Sequence, residues 1–156
     1  MNVWYVNSIL GPFRLEEEND AICGLTLCPD GVPELEPLPR KVCETSLLQE
    51  AEEQLNEYFA GARREFDLPL APKGTPFQKA VWAEMCRIPY GETRTYGQLA
   101  AAVGKPKASR AVGGACHCNP IAILQPCHRV VGSTGRLTGY AYGVEMKQYL
   151  LELEQG

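Results

Sequence analysis

The sequence predicts two parts: a small N-terminal α/β module over 1–71, then a helical domain of helix-turn-helix type over 72–156. Three observations predict this division. Short apolar runs rich in β-formers lie early in the chain, at 3–7 and 21–27. Apolar residues recur at helical spacing in segments that begin near Ser46, Thr75, Thr95, Lys107 and Val144. The charge also changes sign along the chain. Through Gly74 there are 6 basic and 14 acidic residues, a net of −8; from Thr75 onward there are 9 basic and 5 acidic, a net of +4.

In the first part, Gly11-Pro12 and Glu18-Asn19-Asp20 supply turn material between strands. Pro29, Gly31, Pro33, Pro37 and Pro39 make an irregular connector. A helix follows from Ser46 to Tyr58, with Leu47, Leu48, Ala51, Leu55, Tyr58 and Phe59 on one face, and Gly61 ends it. Phe66-Asp67-Leu68-Pro69-Leu70 reads as a short edge strand, because its proline has no N–H to give a ladder. Ala71-Pro72-Lys73-Gly74 is the expected boundary.

After it, Thr75 can cap a helix with Pro76 in its first turn, where a missing N–H costs least. Phe77, Ala80, Val81, Trp82 and Met85 should face inward, and Ile88-Pro89-Tyr90-Gly91 should stop it. A second helix runs from Thr95 to Gly104 and a third from Lys107 to Cys116, the helix-turn-helix pattern. The last helix, Val144 to Glu154, turns Met146, Tyr149, Leu150 and Leu153 to the core.

Composition narrows the class. With 45% apolar and 22% charged residues the chain is an ordinary globular one. It has no run of about 18 apolar residues, so no membrane role is expected. Met1 to Asn7 lacks the basic start and long apolar core of a signal peptide, which makes the cytoplasm the expected compartment. The 7 cysteines are odd in number and irregularly spaced, unlike a secreted disulfide scaffold. Cys116-His117-Cys118 lacks the two-to-four-residue gaps of zinc ligands, so no metal is expected and most thiols read as small buried hydrophobes. From Thr93 to Val144 there are 6 basic residues (Arg94, Lys105, Lys107, Arg110, Arg129, Arg136) and no acid. Such a stretch suits a polyanion, although charge alone fits a basic loop region equally well.

The third helix is nearly free of bulk: Ala108-Ser109-Arg110-Ala111-Val112-Gly113-Gly114-Ala115. Adjacent glycines inside a helix cost about 1 kcal/mol each, so something must offset them. Close helix packing would do so, and so would close approach to a DNA backbone or minor groove, with Arg110 the one long surface side chain. A major-groove reader would carry several base-reading polar residues, which this helix lacks.

The chemistry concentrates in Asn119 to Val131. Pro126 holds Gln125 away from helical angles and fixes the approach to Cys127. Cys127-His128 pairs a thiol nucleophile with an imidazole base. Neighbours in an extended chain face opposite ways, so a turn or a bridging water is needed between them. A base of this kind wants a carboxylate partner, and Glu145, Glu152 and Glu154 on the last helix are the nearby choices.

Pro126-Cys127-His128-Arg129-Val130-Val131, together with Asn119-Pro120 and Arg110-Ala111-Val112-Gly113-Gly114-Ala115, resembles the active-site signature of the O6-alkylguanine-DNA alkyltransferases (methylated-DNA–protein-cysteine methyltransferases). The resemblance spans Phe77 to Glu154 and includes Ile88-Pro89-Tyr90-Gly91-Glu92-Thr93 and Thr95-Tyr96-Gly97-Gln98-Leu99-Ala100. The N-terminal part matches only in general character.

The resemblance implies a winged helix-turn-helix-like DNA-binding and catalytic domain. It also implies single-turnover transfer of an alkyl group from O6-alkylguanine, or O4-alkylthymine, onto Cys127. His128 would draw off the thiol proton through a water and Glu154 would polarise His128. Asn119 would fix the loop, and Tyr96 would crowd the phosphate and protonate the leaving guanine. Arg110 would fill the gap left in the stack, while Ala108, Gly113 and Gly114 would lie along the DNA. Gln78, Lys105 and Ser133 would stand near its backbone. Tyr140, Val130 and Ala141 would line the base pocket. The implied partner is double-stranded DNA carrying the lesion, held through its minor groove by a monomer with no cofactor. The alternative is a non-enzymatic, alkyltransferase-like lesion binder, which lacks the acceptor cysteine. Departures from the pattern are Ala141 and Tyr142, where many bacterial members carry arginine and tryptophan, Gln125 in place of an aliphatic residue, and Ala122 in place of proline. Cys116 and Cys118 flank the site and read as packing.

Overall fold

The computed structural model describes residues 1–28, 45–134, 140 and 142–156, and the backbone of 41–42. The proline-rich connector, Cys43, Arg136 and Ala141 lie outside the described residues. The chain divides into two compact units, Met1–Pro72 and Lys73–Gly156.

The first unit holds a four-stranded sheet in the order β3-β2-β1-β4: β1 Asn2–Val6, β2 Phe13–Glu18, β3 Ala21–Leu27 and β4 Lys41–Val42. Strands β1 to β3 pair antiparallel, and β4 adds parallel to β1. β2 was legible only as turn material at its end, because Arg14 and three glutamates mask it. Yet it alternates with period two: Phe13, Leu15 and Glu17 are buried and their neighbours half-buried. Glu18 belongs to the strand. Asn19 and Asp20 alone make the hairpin turn, at φ of 53° and 60°, values that these two residue types tolerate best among non-glycines.

Helix α1, Ser46–Phe59, is capped by Thr45, whose hydroxyl accepts from Leu48 N. It buries Leu48, Ala51, Leu55 and Tyr58, and the Phe13 and Phe59 rings meet at 6.2 Å. Residues 66–70 do not form the expected strand. Leu70 makes a single parallel bridge to Ile22, and buried Gln54 holds the chain instead, accepting from Asp67 N at 2.9 Å and donating to Asp67 O at 3.1 Å. Gln54 takes both backbone groups of Asp67, so the pairing with β3 is confined to Ile22 N with Pro69 O and Ala71 N with Ile22 O.

The second unit packs α2 Pro76–Met85, α3 Tyr96–Ala102, α4 Ser109–His117 and α5 Val144–Gln155. Thr75 and Gln78 form a capping box on α2, and Thr95 and Gln98 form another on α3. Gly104 takes a φ of 77° in the turn between α3 and α4. Trp82, on α2, is buried and donates from Nε1 to Ala115 O at 2.8 Å, tying α2 to α4. Ala80, expected inside, is exposed. Two short strands escaped the sequence: β5 Arg94–Thr95 pairs parallel with β6 Val130–Val131. Two residues carry too little periodicity to be read. Among the described residues, no helix is long and apolar enough to cross a membrane.

Candidate active site

Residues 121–131 are all buried, which is unusual for a connection between helices. Asn119 makes this possible. Its Nδ2 donates to Gln125 O at 2.8 Å, and its Oδ1 accepts from Ile121 N at 3.1 Å and Gln125 Nε2 at 2.7 Å. Buried Gln125, the departure noted above, therefore locks onto Asn119 rather than filling apolar space. Within this loop Ile123 sits at a φ of 69°, a strained setting for a β-branched residue that persists only where its surroundings over-determine it.

The loop delivers a 3-10 turn, Cys127–Arg129, so that Cys127, His128 and Arg129 project from a tight arc rather than an extended chain. Cys127 is 5% exposed. Burial pushes its thiol up, opposed by a hydrogen bond from Asn119 and by the positive charge of Lys147. His128 is fully buried, and its Nε2 lies 2.7 Å from Glu154 Oε2. Burial lowers the imidazole below its ordinary value; the Glu154 contact opposes this, and Arg129 and Lys147 add to it. His128 Nδ1 has no hydrogen-bond partner among the described residues. Glu145 and Glu152, the other carboxylates open from the sequence, are exposed.

Glu154 also accepts from Arg129: Nε to Oε1 at 2.8 Å and Nη2 to Oε2 at 3.0 Å. Gly91, at a φ of 80°, turns its N–H to Oε1 at 3.3 Å. Arg129 was counted above among residues suited to a polyanion. In the fold it serves no polyanion, because it is buried and bound to Glu154 and to Ile88 O. Arg94 pairs with Glu92, so Lys105, Lys107 and Arg110 remain as the exposed cations of the described part of that stretch.

Lys147, on α5, escaped the sequence reading altogether. It is buried, its Nζ donates to Val130 O, and it stands over the Tyr96 ring at 6.0 Å. Its position seven residues before Glu154 puts both on one helical face, and that was the available signal. Burial lowers its ammonium, while Cys127 and Cys116 raise it.

Tyr140 is buried, and burial with Cys127 and Tyr142 nearby pushes its phenol well above the ordinary value. Tyr142 packs edge-on against it at 5.8 Å. Val130 is buried in β6. Tyr96, the first residue of α3, is half-buried beside Gly113. Arg110 and Gly114 are exposed on α4, and Ala108 is its N-cap. The remaining expected residues stand apart from the cysteine cluster. Gln78 uses its Oε1 in the α2 cap, Lys105 lies over the Phe77 ring at 5.3 Å, and Ser133 is exposed. The thiols are less uniformly buried than expected. Cys23, Cys116 and Cys127 are buried, but Cys86 and Cys118 are exposed, the latter at the open C-terminal end of α4. Burial and the nearby Cys127 push the Cys116 thiol up to about 12.

The structure removes close packing from the two accounts of the glycine pair. A Cβ at Gly113 would meet the Tyr96 ring at 4.0 Å, an ordinary contact, and one at Gly114 would meet nothing. Packing inside the protein requires neither glycine.

A buried thiol next in sequence to an imidazole on one 3-10 turn, with that imidazole held by a carboxylate, is an arrangement that suits a nucleophilic cysteine, here set in a helix-turn-helix unit. Comparison with known proteins gives it a family. Residues 3–72 match the model described as "6-O-methylguanine DNA methyltransferase, ribonuclease-like domain", and residues 76–156 the one described as "6-O-methylguanine DNA methyltransferase, DNA binding domain". The chain belongs to the 6-O-methylguanine DNA methyltransferase family. It is 48% identical over 147 residues to the methylated-DNA–protein-cysteine methyltransferase of Methanosarcina acetivorans, covering 94% of each chain. It is also 48% identical to the constitutive enzyme of that name from Bacillus subtilis, covering 94% of this chain and 90% of that one. Its structure is similar to that of Mycobacterium tuberculosis OGT in complex with DNA, with a TM-score of 0.90 at 41% identity, over 99% of this chain and 93% of that one.

Proposed function

We propose that this chain repairs DNA by direct reversal, moving the alkyl group of O6-alkylguanine, or O4-alkylthymine, onto Cys127 in one irreversible turnover. The observation that carries this is the Cys127 turn, with Glu154 on one nitrogen of His128 and no partner on the other among the described residues. An ionised Glu154 accepts the Nε2 proton, which leaves the Nδ1 lone pair to take the thiol proton through a water. The Sγ–carbon bond then forms as the carbon–O6 bond breaks, and the bonding pair leaves with guanine. Tyr96 supplies a proton to N3, so guanine departs neutral. The thioether offers no leaving group for a return step, so one protein is consumed per lesion.

An O6 adduct lies inside the duplex, so the nucleotide must leave the stack before sulfur can reach it. The bare face of α4 fits this: Ser109, Arg110, Ala111 and Gly114 are exposed with no bulk beside them, as entry into a minor groove requires. Arg110 fills the vacated space. Ala108 and Gly113 line the same helix, Lys105, Gln78 and Ser133 flank the phosphates, and Tyr140, Val130 and Ala141 take the extruded base. The protein acts as a monomer. A lesion binder without chemistry is disfavoured, because the acceptor thiol is present.

Incubation with a duplex carrying O6-methylguanine should add a single methyl group to the intact protein, localised to Cys127, and Cys127→Ala should stay unmodified. Repeated turnover, or methylation of Cys118 instead, would refute the assignment. Gly114→Ala tests the role of α4 from the other side. It should stabilise the fold by about 0.5–1 kcal/mol, since an alanine in a helix interior loses less entropy than glycine. Duplex affinity should nevertheless fall, because the added methyl stands where the groove approaches. Unchanged affinity would remove the glycine pair from the interface.

A further inference from the structure

We propose that Arg129 is a positioning residue for the transfer: by gripping both oxygens of Glu154 it selects the tautomer of His128 and keeps the imidazole able to accept a proton. The geometry is that of a fork. Nε and Nη2 meet Oε1 and Oε2 at 2.8 and 3.0 Å, and Nη1 anchors the guanidinium to Ile88 O at 2.7 Å. With Gly91 N also on Oε1, the carboxylate already accepts from three N–H groups among the described residues, two on Oε1 and one on Oε2, before the imidazole is counted. A carboxylate so surrounded acts as acceptor only, so the proton between it and the ring belongs to His128 Nε2. Nδ1 is then the lone-pair nitrogen, which a proton acceptor for Cys127 requires.

The fork also balances charge. A lone buried carboxylate at 2.7 Å would favour imidazolium, and a protonated ring cannot serve as base. Arg129 offsets that charge from the turn itself. The ionised groups facing the ring are Glu154 and Lys147 from α5 and Arg129 beside it, so removing Arg129 leaves one cation fewer against the same anion. Lysine in its place would keep the charge without the fork, and glutamine would keep a donor without the charge.

The test has two arms, and the kinetic arm rests on the alkyl-transfer reading given above. Single-turnover transfer from an O6-methylguanine duplex is followed against pH for the parent, Arg129→Lys and Arg129→Gln. In Arg129→Gln the pH below which transfer is lost should move up by about one to two units, a shift that slows transfer by about tenfold or more at pH values below the parent's own midpoint. The rate should recover toward the parent value as pH rises. Arg129→Lys should show a much smaller displacement. Profiles lowered by one factor at every pH, without displacement, would overturn the proposal and leave Arg129 as a structural tie. The second arm needs no substrate and no variant. Nitrogen-15 spectra of the parent imidazole should report a neutral His128 protonated at Nε2 at pH 7. A charged ring, or the Nδ1-protonated tautomer, would overturn the proposal whether or not the variants fold and whether or not the chain transfers alkyl groups.

Discussion

Replacing Glu154 by alanine is expected to cost about 3–5 kcal/mol of stability, the range for removing one partner of a buried ion pair. Three groups lose their acceptor at once: the Arg129 fork, His128 Nε2 and Gly91 N. The guanidinium suffers most, because it is buried and among the described residues retains Ile88 O and the Tyr90 ring. For a chain of this size each kcal/mol moves the melting temperature by about 2–4 °C, so thermal unfolding should begin roughly 10 °C earlier. Transfer should slow by about 10²–10⁴, the usual contribution of general acid–base assistance. The two losses are separable. A chain with both Arg129→Met and Glu154→Leu replaces the pair by apolar side chains of similar volume, a change that is often neutral for stability. It should recover much of the lost stability while transfer stays slow. Recovery of both would mean that Glu154 serves only the fold.

Arg110→Ala is expected to slow transfer from duplex DNA by about 30-fold and leave transfer from free O6-benzylguanine within about twofold. The difference arises from the stack. Extrusion costs a few kcal/mol, and an arginine left in the gap offsets about 2 kcal/mol of it, where 1.4 kcal/mol is tenfold in rate. A free base needs no extrusion. Arg110 is exposed on α4, so its truncation should leave the melting temperature unchanged, which separates this effect from damage to the fold. Equal slowing with both substrates would reject Arg110 as the residue that fills the gap.

Much of the fold was legible where a local rule decides the outcome. Thr75 and Pro76 announced a helix start because capping is satisfied within one turn of chain. Phe66 to Leu70 misled, since its apolar run resembles a strand, but the backbone partner came from Gln54 on a helix read for its apolar face alone. Cys127 and His128 were adjacent and therefore visible. Lys147 and Arg129 were not, because basic residues are usually solvated and their burial depends on partners far along the chain.

The sequence by itself determined that a Pro-Cys-His segment follows a helix stripped of bulk, since both are properties of consecutive residues. Only the tertiary structure decided which carboxylate meets the imidazole, 26 residues further on. It also decided that Arg129 faces inward to that carboxylate rather than outward to a polyanion. The physical reason is burial. Once the loop from Ile121 is closed over by its neighbours, each charge inside must find its opposite there, and no local rule says which one will be within reach.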